Sequence, residues 1–100
     1  MFLAIVEFET AAIDRAVART HLDGQRDQIR ALPGNLDFRV HAARENETRV
    51  TVIHEWDDAS SFAGYLGSDL FARSGEVLRP LMTAAPTSRR FHAELLATVA

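Results

Sequence analysis

The sequence predicts an α+β domain of order β-α-β-β-α-β, the split βαβ or ferredoxin-like arrangement, with helices on one face of a four-stranded antiparallel sheet. Three observations predict it. Residues 2–9, 36–43, 49–57 and 88–97 alternate with period two, as strands do. The stretches after the first and third of these carry apolar residues at helical spacing. The polar run Arg44-Glu45-Asn46-Glu47-Thr48 joins the second and third as a hairpin turn, which makes them antiparallel neighbours. One hundred residues are enough to bury one core, so residues 1–100 read as a single domain.

In the first strand Phe2, Ala4, Val6 and Phe8 share one face and Leu3, Ile5, Glu7 and Glu9 the other. Both faces begin apolar, which predicts cover on both sides. Thr10 offers an N-cap to a helix whose apolar positions are Ile13, Val17, Ala18, Leu22, Ile29 and Leu32. Asp23-Gly24 interrupts that pattern and predicts a bend, and Pro33-Gly34-Asn35 ends the helix. Leu36, Phe38, Val40 and Ala42 form one face of the second strand. Val50, Val52, His54 and Trp56 form one face of the third.

Asp57, Asp58 and Ser60 can cap a short helix containing Phe62, Tyr65 and Leu66. Gly67-Ser68 breaks it, and Ser68 can cap a second piece carrying Leu70, Phe71, Val77, Leu78 and Leu81, kinked or ended by Pro80. The fourth strand sets Phe91, Ala93 and Leu95 against Arg90, His92 and Glu94. Ile5, Ile53 and their neighbours then face away from the helices. That face is too apolar to be left in water, and a homodimer packing two sheets face to face is the economical solution.

Composition removes several function classes. There is no cysteine, hence no disulfide, thiolate ligand or thiol nucleophile, which fits a cytoplasmic protein. All eleven basic residues are arginine, so Schiff-base chemistry and a P-loop lysine are impossible. A net charge of −3 with dispersed arginines argues against nucleic acid. The opening MFLAIVEFE carries two glutamates and falls well short of the roughly 20 apolar residues of a membrane span. No glycine-rich phosphate loop is present, and the four histidines have no ligand-spaced pair, so neither cofactor nor metal is expected.

The run Arg49 to Phe71 resembles the antibiotic biosynthesis monooxygenase domain. The residues that carry the likeness are Glu55-Trp56, Asp57-Asp58, Ser61-Phe62 and Ser68-Asp69-Leu70-Phe71, with Leu32-Pro33-Gly34 before the second strand. The resemblance implies a dimeric α/β barrel of ferredoxin-like subunits. It also implies an activity drawn from a mixed set: cofactor-independent oxygenation of anthrones or quinols, haem degradation, or none assigned. Haem-degrading relatives carry an asparagine and an iron-ligating histidine where this chain has Val6 and Gly75, which points away from haem. Where the family often has a histidine on the short helix, this chain has Tyr65.

His54 and Trp56 lie two apart on one strand face and so point the same way. His54 is either a satisfied core histidine or the best base in the chain. Trp56 is either a core aromatic or a stacking wall for a flat substrate with its indole N–H free. Tyr65, three positions after Phe62, either packs or donates to a substrate oxygen. Val6, Phe8, Phe38, Phe62 and Phe71 complete an apolar lining. His21, His41 and His92 are assigned to the surface or a dimer interface, and Arg89-Arg90 to solvated strand ends. The expected function is monooxygenation of a small aromatic, quinol-type or polyketide substrate by O2. The alternative is a non-catalytic binder of the same fold.

Overall fold

The computed structural model describes residues 1–100. Four strands, β1 (Phe2–Glu9), β2 (Asn35–Ala42), β3 (Arg49–Trp56) and β4 (Thr87–His92), form one antiparallel sheet in the order β2-β3-β1-β4. Three helices connect them: α1 (Arg15–Arg30) between β1 and β2, and α2 (Ala59–Leu66) and α3 (Asp69–Leu78) between β3 and β4. This is the expected β-α-β-β-α-β order with the second helical connection split at Gly67-Ser68. Asp58 and Ser68 cap α2 and α3 by accepting from the Ser61 and Phe71 N–H groups.

Register sorts the side chains into rows across the sheet. Phe38, His54, Ala4 and Arg90 form one row, and Val40, Val52, Val6 and Ser88 the next. The period-two pattern of β3 is strict: Val50, Val52, His54 and Trp56 are all buried and the residues between them are not. Ala18, Leu22 and Ile29 of α1, Phe62 and Tyr65 of α2, and Leu78 of α3 close over this face. α1 is also tied to the sheet by charge-assisted bonds: Arg15 donates to the carbonyls of Ala43 (3.1 Å) and Asn46 (2.5 Å), and Arg26 to that of Phe38 (3.2 Å).

Several expectations are corrected. Thr10 does not cap α1: its N–H donates to the Thr48 carbonyl at 2.9 Å and its backbone bridges to Met82. A 3-10 turn over Ala12–Asp14 precedes the helix, which leaves Ile13 and Val17 exposed. Asp23-Gly24 makes no bend, because α1 keeps its backbone hydrogen bonding through both residues. Leu36 points to solvent, since a register irregularity between Asn35 and Asp37 leaves it unpaired. β4 stops at His92 instead of 97: it is an edge strand paired only with β1, and His92 already faces Phe2, the first residue of that partner.

Candidate active site

A half-open cavity of about 230 Å³ lies between the sheet and the helices. Val6, Phe8, Phe38, Val52 and His54 line it from the sheet, Phe62, Tyr65 and Leu66 from α2, and Phe71, Ser74 and Leu78 from α3. Ser88 and Arg90 of β4 are exposed, so the cavity opens at that edge of the sheet. Its volume is about half as large again as the roughly 150 Å³ apolar cavity that holds benzene. It has room for an aromatic ring.

Every residue assigned to the lining from sequence reaches this cavity except Trp56, whose expected place is corrected. Trp56 is fully buried beneath Tyr65, with ring centroids 5.3 Å apart and planes 24° from parallel. Its indole N–H is not free. It donates to Nδ1 of His54 at 2.9 Å. Tryptophan closes the strand inside the core because α2 folds back over it, and the bulk that suggested a substrate wall serves to pack and to hold a neighbour.

That bond fixes the chemistry of His54. Indole nitrogen can only donate, so Nδ1 must be the bare acceptor and the neutral ring carries its proton on Nε2. Burial, and then the positive charge of Arg90, pull the His54 pKa down to about 4. At neutral pH the ring is therefore an uncharged Nε2–H donor, and the assignment of His54 as a base is corrected accordingly. The Tyr65 hydroxyl, with its pKa raised to about 12 by burial, also stays protonated. No buried side-chain nitrogen or oxygen lacks a hydrogen-bond partner, and neither Nε2 nor the Tyr65 hydroxyl has one within the protein. Both atoms thus keep contact with solvent, and both residues line the cavity.

Two residues escaped the sequence reading. Arg90, assigned to a solvated strand end, stands on the helix face of β4 with its guanidinium carbon 5.0 Å from the Phe62 ring centroid. His92 shares that face and meets Phe2 edge-on at 6.1 Å while remaining exposed. The alternation of β4 separated Arg90 from Phe91; only the register with β1 says which of the two faces the helices. Ser74 is the other. Its hydroxyl donates to Gln25 Oε1 and lies 3.3 Å from His21 Nε2, joining α3 to α1. Burial lowers the His21 pKa. No group of three or more His, Cys, Asp or Glu side chains comes together to hold a metal ion. No helix is long and apolar enough to cross a membrane.

A family model described as antibiotic biosynthesis monooxygenase matches residues 1–76. No curated protein matches the chain. Among solved structures, a Deinococcus radiodurans protein provisionally described as an antibiotic biosynthesis monooxygenase superposes with a TM-score of 0.89 at 16% identity, covering 100% of this chain and 99% of that one. A Nitrosomonas europaea protein of the same provisional description gives 0.87 at 13%, covering 93% and 98%. A Mycobacterium tuberculosis protein gives 0.87 at 14%, covering 97% and 98%. At these identities the superpositions speak for the fold alone.

Proposed function

Because the chain belongs to the antibiotic biosynthesis monooxygenase family, we propose that it is a cofactor-independent monooxygenase of a small phenol, hydroquinone or anthrone. The observation that carries this reading is a largely apolar cavity of aromatic size lined by two neutral donors, His54 Nε2–H and the Tyr65 hydroxyl, that have no hydrogen-bond partner within the protein. Donors without a protein partner in a mostly apolar pocket can bind a ligand oxygen. The substrate supplies the electrons. Its ring anion reduces O2, a C–O bond forms to one oxygen, and loss of water from the hydroperoxide leaves a carbonyl, so a ring CH2 and O2 become C=O and H2O. His54 and Tyr65 stabilise the charge that develops on the substrate oxygen, and Phe8, Phe38, Phe62, Phe71 and Val6 exclude water, which strengthens those bonds.

Trp56 acts one step back, as a positioning residue that keeps the proton of His54 on Nε2. The outer sheet face, with Leu3, Ile5 and Ile53 only half-buried and Phe91 exposed, supports a homodimer formed through the sheets. Residues 1–100 act on this reading as one domain of a cytoplasmic protein.

An O2-electrode assay over hydroquinones and anthrones, without added metal or flavin, tests the proposal. Turnover is expected, and Tyr65→Phe should lower kcat by about tenfold or more for the loss of one donor. A second reading, a non-catalytic binding protein, is favoured by the absence of a free basic nitrogen in the cavity. It requires ligand binding with no O2 uptake above the uncatalysed rate.

A further inference from the structure

Arg90 is an arginine without a carboxylate. The chain has two ion pairs, Arg39 with Asp37 and Arg89 with Glu7, and neither involves Arg90, whose Nε donates only to the Ser88 hydroxyl at 3.3 Å. Arg89 points to the outer sheet face, where Glu7 neutralises it at 3.8 Å, while Arg90 points to the helix face, where no acid is provided. All the cavity-lining residues other than His54, Arg79 and Arg90 are uncharged and non-titrating at neutral pH, and none is Asp or Glu. The cavity is thus electropositive by construction.

Register places that charge opposite the donor. His54 and Arg90 are both cross-strand partners of Ala4, one on each side, and all three point to the helix face. Ala4 is the smallest side chain that could stand between them. Adjacent strands lie about 4.8 Å apart, so the two flanking backbones are separated by roughly 10 Å, and side chains of their length can converge on one atom from either side. Phe62 bridges them from above, with His54 at 5.5 Å from its ring centroid and the guanidinium at 5.0 Å. Burial first, and then the positive charge of Arg90, hold His54 neutral.

We propose that the cavity takes its ligand as a small planar organic anion, the phenolate or enolate of an acidic aromatic, with the charged oxygen held between the Arg90 guanidinium and the Nε2–H of His54. This rests on the reading of the cavity as the substrate site. It sharpens that reading in two ways. The substrate arrives ionised, so no base in the protein is needed, which answers the lack of one. Arg90 becomes a specificity-determining residue that selects acidic ring hydroxyls over their ethers and over neutral arenes.

The probes are 4-nitrophenol, whose absorbance reports its own ionisation, and 4-nitroanisole, its neutral methyl ether. Binding of both to the protein is measured by calorimetry, and 4-nitrophenol is also titrated by absorbance. The phenolate is expected to bind about tenfold or more tightly than the ether, and its apparent pKa to fall on binding. Arg90→Gln, at an exposed edge-strand position, should abolish that preference, bringing phenolate and ether to similar affinity. Arg44→Gln, in the exposed hairpin turn, should alter neither. Equal affinity for phenolate and ether, or a preference that survives Arg90→Gln, would overturn the anion clamp while leaving an apolar binding cavity. Absence of binding by either probe would overturn both.

Discussion

The indole N–H of Trp56 donates to Nδ1 of His54 across 2.9 Å inside the core. Two residues of one strand face thereby become a unit in which the buried partner dictates what the accessible one can do. Trp56→Phe keeps a ring but removes the donor. The Nδ1–H tautomer should then appear in nitrogen NMR spectra of His54, which the native protein should not show. Leaving Nδ1 without a partner should also cost about 1–3 kcal/mol in urea denaturation.

Acid should weaken the fold through the same residue. The unfolded chain protonates His54 near pH 6.5, whereas the folded protein resists until about 4, burial being the main cause. Between those limits the unfolded state binds the extra proton, so stability is full above 6.5 and falls as pH drops toward 4, by about 3 kcal/mol in all. Glu9, held low by bonds from Thr48 and Asn46, and Asp58, held low by Ser61, add their acid sensitivity below the ordinary carboxylate range. Urea melts at pH 7.5 and pH 4.5 should therefore differ markedly in the native protein and much less in His54→Gln. An equal loss in both proteins would assign the effect elsewhere.

Gly34 has φ of +80°, and a β-carbon there would run into the Ser61 side chain at the start of α2. Its carbonyl also accepts from the Asp57 N–H at 2.8 Å, so this turn seats the helix that carries Phe62 and Tyr65. Gly34→Ala should destabilise by about 1–2 kcal/mol for the left-handed backbone alone, with the clash in addition. Gly24→Ala is the control: that position is helical with nothing within 4 Å, so alanine should stabilise it by roughly 0.5–1 kcal/mol. Thermal melts of the two variants should move in opposite directions.

Light scattering at micromolar concentration should report about twice the 11.1 kDa chain mass. Ile53→Glu places a charge at the centre of the outer face, opposite Ile5, without touching the core. It should return the mass to that of one chain. A native mass near 11.1 kDa would remove the dimer and leave that apolar face unexplained.

Much of this was legible in the chain itself. Strict alternation in Val50-Thr51-Val52-Ile53-His54-Glu55-Trp56 and the breaks at Pro33-Gly34 and Gly67-Ser68 determined the strands, the helices and their order. Those signals are local: period and turn chemistry are read within a few residues and do not depend on partners. They also placed His54, Tyr65, Phe62 and the flanking phenylalanines on faces that do meet at one cavity. Tertiary structure decided the rest. Where β4 stops depends on where β1 begins, and whether Arg90 or Phe91 faces the helices depends on a register between strands some 80 residues apart. Whether Trp56 touches a ligand or orients His54 depends on how far α2 folds back over it. Periodicity assigns a residue to a face, but long-range pairing decides what stands opposite that face, and in this site the role of a histidine follows from what stands opposite.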